Sequence, residues 1–102
     1  VENSKKLGKI FHQRLNKIKN KYPTHLQYIC GKGLLAALIF VDKDGNALSE
    51  LCDQVAERAF QKGLLVVHTG RESIKLAPPL TISQDALDEG VKVLEECIKE
   101  SL

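Results

Sequence analysis

Residues 73–80 are Ser-Ile-Lys-Leu-Ala-Pro-Pro-Leu, and the rest of the chain is organised around this stretch. Side chains alternate between the two faces of a strand, so Ile74 and Leu76 are expected on one face and Lys75 on the other. The Pro78-Pro79 pair lacks backbone N–H groups and therefore ends the strand. Lys75 thus lies on the face opposite the apolar one, just before the rigid proline pair that ends the strand. A lysine at this position is either solvated or directed at a ligand.

The segments on either side of this strand predict a hairpin and a final helix. Residues 64–68, Leu-Leu-Val-Val-His, have the composition of a strand, and residues 69–72 supply a turn, so the two strands are expected to pair as a hairpin. Beyond the prolines, Ser83 is a suitable N-cap for a helix. That helix places five apolar residues on one stripe: Leu87, Val91, Leu94, Cys97 and Ile98.

The segments upstream of the hairpin predict two more helices. Apolar residues at spacings of three and four predict the first helix over residues 4–21, with Asn3 or Ser4 as its cap. The second is predicted over residues 47–62, followed by Gly63 at the position of a left-handed C-terminal cap. Its apolar face is expected to bury Leu48, Leu51, Cys52, Val55, Ala59 and Phe60.

A broken strand joins these two helices. Residues 26–41 have strand composition, and Gly31-Lys32-Gly33 within them predicts a turn, a bulge or a close backbone approach. The run 34–41 barely alternates, so both of its faces are expected to be covered, whereas a free-standing two-layer domain would leave one of them in water. The element order over residues 1–102 predicts one two-layer α+β domain. Its small mixed, largely antiparallel sheet would carry three helices on one face.

Composition narrows the class of protein. The 102 residues are 43% hydrophobic and 27% charged, which is ordinary for one soluble globular domain. A net charge of +2, without aromatic residues among the lysines, argues against nucleic-acid binding, and no apolar run or leader pattern predicts a membrane segment. Cys30, Cys52 and Cys97 form no CxxC pair and predict buried thiols in a reducing, intracellular compartment, the cytoplasm or an organelle.

The residue types themselves show little catalytic chemistry. His12, His25 and His68 have no metal-ligand spacing with one another or with the cysteines, so no metal site is predicted. Cys52 lies on a helical apolar stripe and is expected to be core rather than a nucleophile. On this basis alone, a free-standing α/β ligand-binding or regulatory module stays open as an interpretation.

Several segments, in this order, resemble the C-terminal small domain of the class III pyridoxal-phosphate-dependent aminotransferases, in particular the ornithine, acetylornithine and 4-aminobutyrate aminotransferases. The resemblance runs from about Leu7 to the C-terminus, and its most specific part is the strand that ends in Ala-Pro-Pro-Leu. The matching segments are Gly31-Lys32-Gly33-Leu34, Lys62-Gly63-Leu64-Leu65 and residues 74–82. The resemblance implies the small domain of a fold-type I enzyme.

The resemblance implies a transaminase as the full-length protein, which transfers an amino group between an amine or amino acid and a 2-oxo acid. Pyridoxal phosphate would belong to a large domain of the same chain. The 102-residue chain would be an inactive fragment without bound cofactor, and the parent enzyme is expected to be a homo-oligomer. A racemase or epimerase of similar fold is the alternative within the same superfamily.

The resemblance also implies which residues meet the substrate. The small domain is expected to close the active site and to present Lys75, Gly31 and Gly33 to the substrate, with no catalytic or cofactor-binding residue of its own. The subgroup has an arginine at the position of Lys75, three places before the first proline, where it holds a substrate carboxylate. Lysine offers a compact charge without the two-pronged geometry of arginine. We expect the sheet face that bears Lys75 to be exposed in this chain.

Overall fold

The computed structural model describes residues 2–68 and 71–102 as three helices and four strands. The predicted turn at 69–72 includes Thr69 and Gly70, which lie outside the described residues. No helix within the described ranges is long and apolar enough to cross a membrane. The elements in chain order are α1 (Glu2–Lys21), β1 (Tyr28–Cys30), β2 (Ala36–Ile39), α2 (Ser49–Gln61), β3 (Val67–His68), β4 (Ser73–Leu76) and α3 (Gln84–Ser101).

The four strands form one sheet in the order β1-β2-β4-β3. Helix α2 connects β2 to β3, but β4 lies between these two strands, so every neighbouring pair among the described strands is antiparallel. The two-layer α+β fold is therefore confirmed, and the parallel pair that a mixed sheet would need is absent from this part of the chain. The register places Lys75 opposite Ala37 on one side and Val67 on the other.

The core lies between the sheet and the three helices. Ala36, Leu38, Ile74 and Leu76 point from the central strands into it and are buried, while α3 packs against both α1 and α2. The predicted stripe of α3 is buried throughout. Full burial of a large apolar side chain contributes about 1.5–3 kcal/mol to stability. Burial of the apolar stripe of each helix therefore accounts for the position of that helix against the core.

The two predicted caps near the sheet are confirmed. The Ser83 hydroxyl accepts a hydrogen bond from the Ala86 amide at 3.1 Å and so begins α3. Gly63 has a φ of 81°, and the Leu64 amide donates to the Ala59 carbonyl at 2.8 Å, which ends α2 in a Schellman motif. The predicted cap of α1 is wrong, because Asn3 and Ser4 lie inside that helix.

Three predictions about burial are wrong, two of them because helices cover only one side of the sheet. Cys30 is exposed because it lies on the uncovered side of β1, which is an edge strand. Leu35 in the run 34–41 is 54% exposed, so that run is covered on one face only. Phe60 is 77% exposed because α2 buries Cys52, Val55, Ala56 and Ala59, and Phe60 falls beside that stripe.

Two helical glycines allow a paired test of how α1 packs. A methyl group on Gly8 would come within 2.7 Å of the Gly33 Cα atom, whereas one on Gly90 would meet only the Leu64 side chain at 3.6 Å. Alanine improves helix propensity at both positions by about 1 kcal/mol. We expect Gly90→Ala to raise the free energy of unfolding by up to about 1 kcal/mol. Gly8→Ala should lower it by about 1–3 kcal/mol, because the backbone must move.

Urea denaturation of the two variants beside the wild-type chain measures both changes. A shift of the same sign for Gly8→Ala and Gly90→Ala would contradict the close approach of α1 to Gly33.

Candidate functional site

The side of the sheet turned away from the helices is exposed, and we call it the open face. The register assigns to it Tyr28, Cys30, Ala37, Ile39, Val67, Ser73 and Lys75. Tyr28 is 59% exposed and Val67 is 57% exposed, so much of this surface is apolar yet open to water. The expectation that the face bearing Lys75 is exposed is confirmed.

Lys75 is the cation at the centre of the open face. Its neighbours across the sheet are Ala37 and Val67, neither of which can neutralise an ammonium group. Among the described side chains of residues 3–68 and 71–102, no carboxylate forms a salt bridge with Lys75. Its charge therefore remains available to an anion that approaches the open face.

Two other lysines show the opposite arrangement. A hydrogen bond of 2.7 Å to the Glu95 carboxylate raises the pKa of Lys21. Lys62 lies 3.1 Å from Glu100 and 3.5 Å from Glu96, and the hydrogen bond to Glu100 is the main reason that its pKa is raised. These lysines join helices to one another, which leaves Lys75 as the better candidate for binding a ligand.

The turn between β1 and β2, residues 31–35, is the second part of the candidate site, and we call it the glycine turn. Gly31 has a φ of 109° and Gly33 a φ of 62°, and the Leu35 amide donates to the Lys32 carbonyl at 3.1 Å. The register puts this turn at the same end of the sheet as Leu76 and the prolines. Strand β2 separates it from β4, a distance of roughly 10 Å at ordinary strand spacing.

Lys32 is a further candidate site residue, which the sequence analysis did not single out. It is exposed at the tip of the glycine turn and adds a second cation at the same end of the sheet as Lys75. The two glycines that flank Lys32 were the sequence signal for its exposure, because a residue at the tip of a tight turn projects into solvent.

An apolar cleft of about 340 Å³ lies beside this end of the sheet. The Pro78-Pro79 pair, residues 63–65 and the first half of α3 enclose it, with Phe11 and Leu94 among its lining. Every lining residue is apolar, glycine or proline, so the cleft offers no side-chain hydrogen-bond donor for a phosphate group.

The remaining sequence candidates have structural roles. Cys52 is fully buried, which confirms it as a core residue, and this burial raises the pKa of its thiol to about 12. His68 Nε2 lies 3.1 Å from the Asp53 carboxylate and so joins β3 to α2. His25 contacts the hydroxyl of Thr24 at 2.9 Å. In the part of the chain that the structure describes, no group of three or more His, Cys, Asp or Glu residues could hold a metal ion.

Residues 1–98 match the family described as Aminotransferase class-III. This chain belongs to the class III aminotransferases. It is 39% identical to the mitochondrial acetylornithine aminotransferase of Debaryomyces hansenii over 88% of the chain. It is 35% identical to the diaminobutyrate–2-oxoglutarate transaminase of Oceanobacillus iheyensis over 99% of the chain. The solved structure of an acetylornithine aminotransferase from Elizabethkingia anophelis aligns with 97% of the chain, at a TM-score of 0.81 and 32% identity.

The class III chain spans only about a fifth of these relatives. It corresponds to 18% of the Debaryomyces protein, 23% of the Oceanobacillus protein and 24% of the Elizabethkingia structure. Family membership and fold are thus established for this domain. Its open face, Lys75 and the glycine turn are the features from which a function can be argued.

Proposed function

We propose that this chain is the small domain of a pyridoxal-phosphate-dependent transaminase and that its open face closes the active site over the substrate. The parent protein would move an amino group from an amine or amino acid to a 2-oxo acid. We propose 2-oxoglutarate as this acceptor, because it is the oxo acid in the name of the Oceanobacillus iheyensis relative. The residues that meet the substrate are Lys75 and the glycine turn.

The observation that carries this proposal is the charge of Lys75, which has no salt bridge among the described side chains and lies on an exposed, largely apolar face. A single domain that worked alone would gain stability by covering that face, and exposed apolar surfaces of this kind commonly mark contacts with other domains or ligands. Once a second domain excludes water there, the attraction between the ammonium group and a carboxylate strengthens, because the local dielectric constant falls. Lys75 would then bind the acidic end of the substrate.

We infer that the cofactor is held by a part of the parent protein outside these 102 residues. A lysine that bonds covalently to pyridoxal phosphate needs a pocket that lowers its pKa. No charged residue is buried among the described side chains of residues 3–68 and 71–102, and the pKa values of Lys21 and Lys62 are raised rather than lowered. The apolar cleft has no side chain to hold a phosphate group. We therefore propose that a large domain of the parent chain holds the cofactor and supplies the catalytic residues.

The substitution of lysine for arginine gives the proposed site a particular selectivity. Arginine binds a carboxylate with two parallel hydrogen bonds, whereas lysine acts as a compact charge with freely rotating donors. Lys75 would attract an acidic substrate but constrain its orientation less. Backbone amides of the glycine turn would supply the missing directionality.

Two further parts of the proposal concern the setting of the parent enzyme. We propose a homo-oligomer, in keeping with the resemblance to the ornithine aminotransferase group. We also propose a reducing compartment, because Cys30, Cys52 and Cys97 are free thiols. Both the cytosol and the mitochondrial matrix meet this condition.

Borohydride reduction of the full-length holoenzyme tests where the cofactor is held. We expect peptide mapping to find the reduced cofactor on a lysine outside residues 1–102, and we expect the reduction to abolish amino transfer to 2-oxoglutarate. A cofactor attached to any lysine within these 102 residues would overturn the proposal that a separate large domain holds the cofactor.

A further inference from the structure

One carbonyl oxygen of the glycine turn is held by a side chain of α1. His12 Nε2 lies 3.1 Å from the Leu35 oxygen. A carbonyl oxygen can only accept a hydrogen bond, so the proton must be on Nε2 and His12 is the donor. The His12 ring stands edge-on to the ring of the buried Phe11, with 5.6 Å between the two centroids.

The same oxygen faces Gly31 from the other side. A side chain on Gly31 would overlap the Leu35 carbonyl, so the oxygen is close to the Gly31 backbone and occupies the space that a Cβ atom would need. The hydrogen bond from His12 therefore orients the carbonyl against which Gly31 packs. A rotation of this peptide group would move Gly31 as well.

Helix α1 approaches the turn at a second point. Gly8 lies one helical turn before His12, and a methyl group there would come within 2.7 Å of Gly33 Cα. The backbone of α1 thus packs directly against Gly33, while the His12 side chain reaches Leu35. Two contacts from α1 therefore hold the middle of the glycine turn, at Gly33, and its C-terminal end, at Leu35.

We propose that His12 is a positioning residue of the substrate site, which acts through the Leu35 carbonyl to hold the glycine turn in its binding conformation. This inference rests on the proposed function, in which the turn meets the substrate. His12 does not touch the substrate itself. Its hydrogen bond holds the turn equally before and during the reaction, so its loss should weaken substrate binding and leave the chemical step unchanged.

Kinetics of the full-length enzyme with 2-oxoglutarate test this role. His12→Leu removes the donor and is expected to raise KM for 2-oxoglutarate about three- to tenfold, the fold-change that corresponds to one hydrogen bond, with kcat close to the wild-type value. His12→Gln can place an amide donor near the position of Nε2 and should retain the wild-type KM. His25→Leu, which alters a histidine away from the turn, is the matched control and should leave KM unchanged.

A second pair of variants keeps the test decisive if His12→Leu does not fold. His12→Asn conserves polarity but is too short to reach Leu35, so it should raise KM while His12→Gln does not.

A lower Tm with an unchanged KM in both His12→Leu and His12→Asn would overturn the inference, since it would show a role in stability alone. If KM is unchanged in these variants but rises in Lys75→Met, the positioning role is wrong and the proposed function stands. If KM is also unchanged in Lys75→Met, both the positioning role and the proposed function are wrong.

Discussion

Replacing Gly31 by alanine is expected to lower the free energy of unfolding by about 3 kcal/mol or more. Gly31 has a φ of 109°, a conformation that is strained for any residue with a side chain. Its new methyl group would also overlap the Leu35 carbonyl oxygen, which His12 holds in place. The turn must therefore open, and the hydrogen bond from His12 is lost with it. Urea denaturation of the variant measures the combined effect.

Gly33→Ala is the matched control for Gly31→Ala. Gly33 has a φ of 62°, but no atom lies within 4 Å of the position that a Cβ would take. Alanine there should cost only the backbone strain, about 1–2 kcal/mol. If Gly31→Ala and Gly33→Ala destabilised the protein equally, the packing of the Leu35 carbonyl against Gly31 would be ruled out.

Local chemistry made much of the fold predictable from the sequence. Two prolines ended β4, a serine began α3 and a glycine ended α2, and each of these signals depends only on neighbouring residues. The direction of Lys75, opposite Ile74 and Leu76, followed from strand alternation in the same way. The sequence therefore predicted correctly which face of the sheet carries Lys75.

The remaining features depend on contacts between distant segments, which local patterns do not encode. Phe60 has the polarity of a core residue, but its burial depends on where α3 and the sheet end. Cys30 is exposed because β1 is an edge strand, and strand order is a property of the whole sheet. His12 and Leu35 are 23 residues apart, and only the packing of α1 beside the glycine turn brings them together. Gly8, inside the apolar stripe of α1, was the one local hint of that approach.

Replacing Lys75 by methionine is expected to change the substrate selectivity of the full-length enzyme. Methionine retains much of the length of the side chain but removes the charge from the open face. A hydrogen bond to a charged group contributes about 1.5–3 kcal/mol, so kcat/KM for acidic substrates should fall roughly 10- to 150-fold. Neutral amines make no such contact and should react at the wild-type rate. Lys75→Arg should recover or exceed the wild-type value for acidic substrates, because its fork matches a carboxylate.

Folding is not expected to complicate the interpretation of these variants. Lys75 is exposed and has no salt bridge within the described ranges, so its removal should change the free energy of unfolding by less than about 0.5 kcal/mol. Lys43→Met provides the matched control, since Lys43 is also exposed but lies beyond the opposite end of β2.

The most direct measurement of the central claim is the ratio of kcat/KM for an acidic amino donor to that for a neutral amine, compared between Lys75→Met and Lys43→Met in the full-length enzyme. If the open face presents Lys75 to the substrate carboxylate, the ratio should fall at least tenfold in Lys75→Met and remain at the wild-type value in Lys43→Met. An unchanged ratio in Lys75→Met, with amino transfer intact, would contradict the assignment of the open face as part of the active site.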